Sequence, residues 1–455
     1  MEFSDVKDAA GLKQLLQERP YRHIKVGVFD IDGVLRGKYM SPDKFLSSIE
    51  NGFGFCDVVL GWDSSDQLYD NTKLTGWHTG YGDAQVRILP ETAREIPFEP
   101  DTLFVLGEFA GKLEPLCPRG VLKRVLKKAE ELGFQAKAAC EFEFLVVEET
   151  AKSLSDKRYR NLSPLGVGNF GYSVIRNSVN TPFYHGMLDL FEDMRIPIEG
   201  LHEETGPGAL EAAIGVDDAL SAADKGNLFK TFAKIFAQRN GLFTSFMAKW
   251  DSSFPGQGGH VHVSLVDKNG KGVFHDPSAD RAISETMLHF IGGLQRLAPA
   301  LAAFAAPTVN SYRRLVPGYW APTAATWGVD NRTVAIRAIT GSSKSQRVEF
   351  RIPGADTNSY LTLAAALGAG LWGIENRIKP ETELSGNAYQ IPTPEHQQLP
   401  RTLTDAAAAL NNSEEAKEIF GKTFVEHYAA TRDWEDREFR KQVTDWELSR
   451  YFEII

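Results

Sequence analysis

Between Asn310 and Arg351 the chain sets seven basic residues (Arg313, Arg314, Arg332, Arg337, Lys344, Arg347, Arg351) against two acidic ones (Asp330, Glu349), in a protein of formal net charge -10. A concentration of this kind calls for an anionic partner. It also restricts the backbone. In Arg347-Val348-Glu349-Phe350-Arg351 the charges recur at every second residue, so a strand puts them on one face and Val348 and Phe350 on the other. Such a strand forms one wall of a polar cavity. Arginine reads carboxylate and phosphate bidentately. The glutamate between two arginines is either their ion-pair partner or a ligand for a cation that accompanies phosphates.

The rest of the chain narrows the class. With 455 residues it can bury a large core and form more than one domain. Its 24% charged and 42% hydrophobic residues suit a globular enzyme. An acidic balance without blocks of like charge excludes a general nucleic-acid binder. Cys56, Cys117 and Cys140 lack metal-type spacing and cannot all pair, so a reducing, cytoplasmic setting is expected. The N-terminus shows no basic region followed by an apolar one, hence no signal peptide. The most apolar windows, Leu297 to Pro307 and Leu361 to Trp372, fall short of the ~20 residues a membrane span requires and read as buried helices.

Residues 7 to 18 have helical periodicity, and Ile24 to Phe29 is a β-type run. The segment that follows, Asp30-Ile31-Asp32-Gly33-Val34-Leu35, has two readings. It is the opening signature of haloacid-dehalogenase-type phosphatases, with Asp30 as nucleophile and Asp32 as general acid, or a tight turn in which aspartate satisfies local backbone groups. Arg36-Gly37-Lys38 continues into another strand, which favours the turn. Glycines and aromatics over 52 to 90 predict loops and short strands in a small β-rich N-terminal domain, residues 1–113. Proline near its start and Gly133 at its end delimit a helix over Val121 to Leu132. Strands are predicted over Gln135 to Val147, Arg195 to His202, Ala209 to Val216, Leu242 to Ala248 and Gly258 to Leu265, and helices over 182 to 194, 217 to 240 and 280 to 304. The fold class is α+β, with a large second domain over 114–455.

Three further clusters carry chemistry. Glu141-Phe142-Glu143-Phe144 puts two carboxylates on one strand face and two phenylalanines on the other. Glu203 and Glu211 flank the Gly206-Pro207-Gly208 turn and are expected to converge from a hairpin. His260 and His262 follow a glycine-rich run, again with period two. Hard oxygen ligands with limited imidazole suit Mg²⁺ or Mn²⁺ over zinc. Divalent ions beside arginines and a glycine-rich loop indicate phosphoryl transfer.

These segments, together with Asn310-Ser311-Tyr312 and Val316-Pro317-Gly318-Tyr319, make the chain resemble the glutamine synthetase family over nearly its full length. The resemblance implies a small N-terminal β-grasp domain, a large catalytic domain and a homo-oligomer, a hexameric ring or dodecamer, with active sites between neighbours. It implies that Glu143, Glu203 and Glu211 hold one Mg²⁺ or Mn²⁺ and Glu141, His260 and Glu349 the other. Gly256, Arg314 and Arg351 are implied to bind the amino-acid substrate, while His262, Ser264, Arg332, Arg337 and Lys344 face ATP and the transferred phosphoryl group. Arg314, Arg332 and Arg337 take the catalytic roles. The implied reaction activates the γ-carboxylate of glutamate as an acyl phosphate, from which an amine displaces phosphate.

The departures from the family carry the specificity. Glutamine synthetases place a glutamate where Trp320 stands, and that carboxylate helps bind ammonium and take its proton. An indole accepts no proton, but its face can hold a cation or stack on an apolar amine substituent. Pro255 stands where the family's usual Asn-Gly pair begins. The ammonium-site segment Asp-Gly-Ser-Ser has Trp62-Asp63-Ser64-Ser65 as its nearest counterpart, with Asp63 as a candidate replacement base. The chain is therefore similar to the γ-glutamylpolyamine and γ-glutamylamide branch, with a bulky or hydrophobic monoamine expected over a polyamine. The other readings are an ammonia-dependent glutamine synthetase and, more remotely, the Asp30/Asp32 phosphatase. Tyr389, in Asn387-Ala388-Tyr389, reads as an ordinary loop tyrosine and not as a modified one.

Overall fold

The first sheet is built from β1 (His23–Phe29), β2 (Leu35–Met40), β3 (Phe53–Cys56), β4 (Asp83–Ile88), β5 (Arg94–Glu95) and β6 (Thr102–Phe109). Its order is β2-β1-β6-β4-β3 with β5 added on β6, and β1 and β6 run parallel. The β1–β2 hairpin closes on Asp30, whose Oδ1 accepts the amides of Asp32 and Val34. This is the Asx-type turn that the local sequence allowed. A computed structural model describes the whole chain, Met1–Ile455.

The second sheet holds β7 (Gln135–Val147), β8 (Ile198–Glu203), β9 (Ala209–Ile214), β10 (Asp217–Asp218), β11 (Phe243–Ser245), β12 (Val261–Val266), β13 (Trp327–Val329), β14 (Ile336–Ile339) and β15 (Arg347–Phe350). The order is β13-β14-β15-β12-β7-β9-β8, with β10 and β11 also pairing with β7. The long β7 alternates strictly up to Phe144, and its phenylalanines face a helix over Ala219–Arg239. Phe142 stacks on Phe229 with ring centroids 6.0 Å apart, and Phe144 packs against both Phe229 and Phe246. Burying these rings fixes which face of β7 is left for the carboxylates.

The helix predicted over 280 to 304 divides into Glu285–Leu297 and Ala302–Ala305, the first starting on a Ser284 cap whose hydroxyl accepts the Met287 amide. The strand expected from Arg195 starts only at Ile198, because Arg195 has a left-handed backbone (φ 58°) that a strand cannot contain. One cluster of 97 buried apolar residues includes Ile24 and Leu103 of the first sheet and Phe142 and Val348 of the second, so the two sheets share a continuous core.

A buried ion-pair network ties the first sheet to three helices. Arg119, on the helix Pro118–Glu131, donates from Nη1 to Glu108 of β6 at 2.7 Å and from Nε to Asp224 at 3.0 Å. Tyr360 donates to the same Asp224 at 2.5 Å, and Lys123 reaches Glu108 at 2.7 Å. Removing one partner of a buried pair strands the others away from water. Arg119→Ala is therefore expected to cost about 3–5 kcal/mol in urea unfolding, whereas a cost under about 1 kcal/mol, that of an exposed pair, would contradict this account.

Candidate active site

The register of the second sheet lays two rows of polar side chains across its strands. In one row Arg337, Glu349 and His262 sit opposite one another on β14, β15 and β12. In the other, Glu143, Glu211 and His202 do so on β7, β9 and β8. Glu141, two residues before Glu143 on β7, lies between the rows. Directly paired residues share a face, so alternation together with register is enough to gather these side chains.

Two cavities open from this face and meet at Glu141. The first, of about 350 Å³, is lined by Glu141, Glu143, Glu204, Glu211 and His260, by Arg314, Arg332 and Arg351, and by Gly256, Tyr172 and Trp320. The second, of about 300 Å³, is lined by Glu141, His262, Ser264, Lys344 and Arg347. Gly256 leaves room that no other residue would, since a Cβ there would lie 2.5 Å from the Ala248 carbonyl oxygen and 2.6 Å from Arg314 Cγ. Gly258 has the same role toward His260, and its amide donates to Glu143 Oε2 at 2.7 Å.

Hydrogen bonds orient the imidazoles. Arg347 Nε donates to His262 Nδ1 at 3.2 Å, which leaves Nε2 as the protonated nitrogen facing Glu141 Oε2 at 3.3 Å. His260 Nδ1 faces Glu141 Oε1 at 2.9 Å, with Arg314 Nη2 3.4 Å from its Nε2. Arg314 also donates to the Ile352 carbonyl, and Glu349 is held between Arg337 (3.0 Å) and Arg351. The buried Nε atoms of Arg337 and Arg351 have no partner.

The carboxylates divide by their surroundings. Burial alone would raise Glu349, but Arg351, His260 and His262 hold it down to about 2. Burial acts on Glu141 too and is outweighed by hydrogen bonds from His260 and His262, which lower it. Burial, and then nearby Glu204, pushes Glu143 up to about 7 despite Arg314. Glu211 is raised further, by burial and then by Glu141, Glu143, Glu204 and Glu349. Ligand atoms of Glu141, His262 and Glu349, and likewise of His202, Glu204 and Glu211, come within 4.8 Å of one another. Carboxylates and imidazoles gathered against their mutual repulsion fit divalent cations with oxygen preference, and so agree with Mg²⁺ or Mn²⁺.

A family model for the glutamine synthetase catalytic domain matches residues 115–451. The chain belongs to the glutamine synthetase family. It is 46% identical over 438 residues to type-1 glutamine synthetase 2 of Dictyostelium discoideum, covering 95% of this chain and 84% of that one. It is 38% identical over 455 residues to a glutamate–isopropylamine ligase of a Pseudomonas species (97% and 99% covered), and 35% identical over 428 residues to the γ-glutamylethanolamide synthetase GlnA4 of Streptomyces coelicolor (93% and 91%). Among solved structures, GmaS in complex with ADP superposes with a TM-score of 0.84 at 26% identity, covering 97% of this chain and 99% of that one. As a member of the glutamine synthetase family the chain is an ATP-dependent carbon–nitrogen ligase and works with Mg²⁺ or Mn²⁺.

Within this glutamine synthetase fold one expected ligand is corrected. Glu203 pairs in register with Leu210 on the buried face of the β8–β9 hairpin and accepts a hydrogen bond from Tyr184 Oη at 3.0 Å. Glu204, not Glu203, lines the cavity. The signal was present in the sequence: His202 and Glu204 share the parity that brings them to Glu211, whereas counting eight residues back from Glu211 crosses the turn with the wrong one. Tyr172 is a second residue that the sequence reading missed. Its ring stacks on His202 at 4.4 Å, and only the fold brings it there.

The remaining candidates lie outside both cavities. Asp63 accepts from the amides of Ser65 and Gln67 and from Trp434 Nε1. Asp30 is committed to its turn and to Arg36 at 2.9 Å, and Asp32 to Arg432 at 2.7 Å, so neither is disposed as a phosphatase nucleophile or acid. Tyr389 donates its hydroxyl to the Ala321 carbonyl. Arg337 stands behind the cavities, between Glu349 and Asp330.

Metal binding here is linked to protons. Glu143 retains a proton below about 7, so a cation must displace it there and meets an ionised ligand above. Glu211, raised further, acts in the same sense, whereas burial lowers His260 and moves its competition for protons to lower pH. The rise in unfolding temperature that Mn²⁺ produces over a chelator is expected to grow between about pH 6 and about pH 8. Differential scanning calorimetry at fixed Mn²⁺ checks this, and a pH-independent rise would contradict it.

Proposed function

We propose that the chain joins a bulky or hydrophobic monoamine to the γ-carboxylate of glutamate, with ATP supplying the activation. Trp320 carries this reading. It lines the carboxylate cavity at the position where glutamine synthetases resemble one another in carrying glutamate, and it adopts a left-handed backbone (φ 62°) after Gly318. That conformation costs a non-glycine residue about 1–2 kcal/mol, so the indole is placed there at a cost. With Tyr172 and Pro255 it supplies apolar surface to the cavity lining. The relatives named for isopropylamine and ethanolamide support a monoamine.

The terminal phosphoryl group of ATP passes to a γ-carboxylate oxygen, giving ADP and γ-glutamyl phosphate. The amine nitrogen then attacks the acyl carbon, phosphate leaves with the bonding pair, and the amine loses a proton. Arg314 and Arg351, beside Gly256, are the residues proposed to hold glutamate. Arg332 at the first cavity, with His262, Ser264 and Lys344 at the second, would meet the nucleotide and the developing phosphoryl charge, and Arg337 would act from behind Glu349. Glu141, Glu143, Glu204, Glu211, His260 and Glu349 would hold Mg²⁺ or Mn²⁺, which supplies Lewis-acid polarisation of phosphoryl oxygens when bound. Closing this apolar surface over the acyl phosphate would exclude water, which otherwise hydrolyses it.

The same reading takes residues 1–113 as a β-grasp domain and 114–455 as the catalytic domain, in keeping with a mixed sheet that ends at Phe109 and a second that starts at Gln135. It takes the assembly as a hexameric ring or dodecamer, for which the exposed Trp446, Phe452, Ile454 and Ile455 offer contact surface. Three unpaired cysteines suit a cytoplasmic setting, and no helix is long and apolar enough to cross a membrane.

The second reading, ammonia as the amine, is favoured by the 46% identity to a relative named glutamine synthetase. Phosphate release from ATP and glutamate across ammonium, alkylamines, aromatic monoamines and diamines separates the two. Each methylene that fits an apolar pocket is worth about 1–3 kcal/mol, so a steep rise with amine size is expected, and Trp320→Glu should flatten it while raising ammonium use. Ammonium as the best substrate of the unaltered enzyme would overturn the proposal.

A further inference from the structure

Trp320 sits on a loop with little to hold it. Residues 317–320 lie between the short helix Ser311–Arg314 and β13 and make no hydrogen bond through backbone or side chain. The indole is 57% exposed, so its own packing does not fix it. Gly318 and Trp320 both have left-handed backbones (φ 86° and 62°), which turns the loop without anchoring it. The anchor is next to the indole. Tyr319 also lines the first cavity, and the ammonium of Lys249 lies over its ring, 4.3 Å from the centroid. A cation at that distance is attracted by the quadrupole of the aromatic face.

Lys249 is buried and is itself held in place. Its amide donates to Asn310 Oδ1 at 2.8 Å and its carbonyl accepts from Asn310 Nδ2 at 2.9 Å, so its backbone cannot shift without breaking both bonds. Nζ donates to the carbonyl of Phe254, directly before Pro255 and Gly256. The preceding residue, Ala248, presents the carbonyl oxygen against which Gly256 closes, and that oxygen accepts the Gln257 amide at 2.7 Å. No carboxylate pairs with the ammonium, so the Phe254 carbonyl and the Tyr319 ring are what offset its burial. One side chain thus joins two walls of the cavity, Pro255–Gly256 beside Arg314 and Tyr319–Trp320.

We propose that Lys249 is a positioning residue for amine selection, holding the Tyr319–Trp320 wall against the Pro255–Gly256 wall from behind the cavity. The space between the glutamate end and the indole is then set by one ammonium group. This assignment rests on the reading of the cavity as the place where glutamate meets a bulky or hydrophobic monoamine.

The test is steady-state kinetics of the full-length enzyme with benzylamine, ammonium, glutamate and ATP. Tyr319→Leu removes the ring face and is expected to raise KM for benzylamine about tenfold, while KM for ATP stays unchanged. Tyr319→Phe keeps the face and is expected to stay within about twofold of the unaltered KM for benzylamine. Lys249→Met keeps the length of the chain but not its charge, and should raise KM for both benzylamine and glutamate. The double variant should be no worse toward benzylamine than Lys249→Met alone, because both changes remove the same contact. If Lys249→Met does not fold, the comparison of Tyr319→Leu with Tyr319→Phe still decides. Tyr319→Phe as impaired as Tyr319→Leu would overturn the assignment, as would single effects that multiply in the double variant. A rise in KM for ATP equal to that for benzylamine, which a merely structural role would give, would overturn it too. All three outcomes leave benzylamine the better amine of the unaltered enzyme, whereas ammonium as its better amine would overturn the amine reading of the cavity and this assignment with it.

Discussion

The repulsion among buried carboxylates in one pocket is the constraint on which the rest of the structure depends. Glu141, Glu143, Glu204 and Glu211 line one cavity, and Glu349 stands directly behind it, 3.7 Å from His260. Gathering such charges away from water costs far more than any one of their hydrogen bonds returns. Arginines and histidines relieve part of it. Arg337 and Arg351 hold Glu349, and His260 and His262 hold Glu141. Glu143 and Glu211 are left raised, although Arg314 offsets part of the burial of Glu143. The unrelieved part is what a divalent ion answers.

The scaffold makes that arrangement possible by rigid means. Phe142 and Phe144 are locked against Phe229 and Phe246, so β7 cannot slip by one residue without moving both rings into the cavity and both glutamates into the core. Strand pairing then transmits this choice sideways. Glu143 fixes the height of Glu211, which fixes that of His202, and His262 does the same for Glu349 and Arg337. The buried Arg119 network anchors the first sheet to the helix Ala219–Arg239, which packs on β7. Trp320 is the exception, since it sits on a loop in a strained conformation, and specificity residues are commonly of this kind.

Much of this was legible in the sequence, for a physical reason. Period-two patterns at Glu141/Glu143, His260/His262 and Arg347/Glu349/Arg351 determine faces locally, and faces are what a cavity wall needs. The strand over Gln135 to Val147 matches the expected ends, because alternation up to Phe144 followed by three buried apolar residues leaves little latitude. Where a turn interrupts the alternation, parity across it is not written locally. Glu203 was chosen over Glu204 for that reason, and only the pairing of Glu203 with Leu210 decides between them. Tyr172 was beyond reach for another reason, since its contact with His202 joins segments distant in sequence. The Asp30/Asp32 motif shows the converse: a catalytic-looking spacing can be fully spent on a turn and a neighbouring arginine.

Anomalous diffraction from crystals grown with Mn²⁺ tests the central claim most directly, because it locates cations without reference to activity. The account predicts manganese signal within the carboxylate cavity, with Glu204 and Glu211 among the ligands on one side, Glu141 and Glu349 on the other, and Glu203 still bonded to Tyr184. No manganese among these carboxylates, or an ion held by Glu203 with Glu204 turned away, would contradict it.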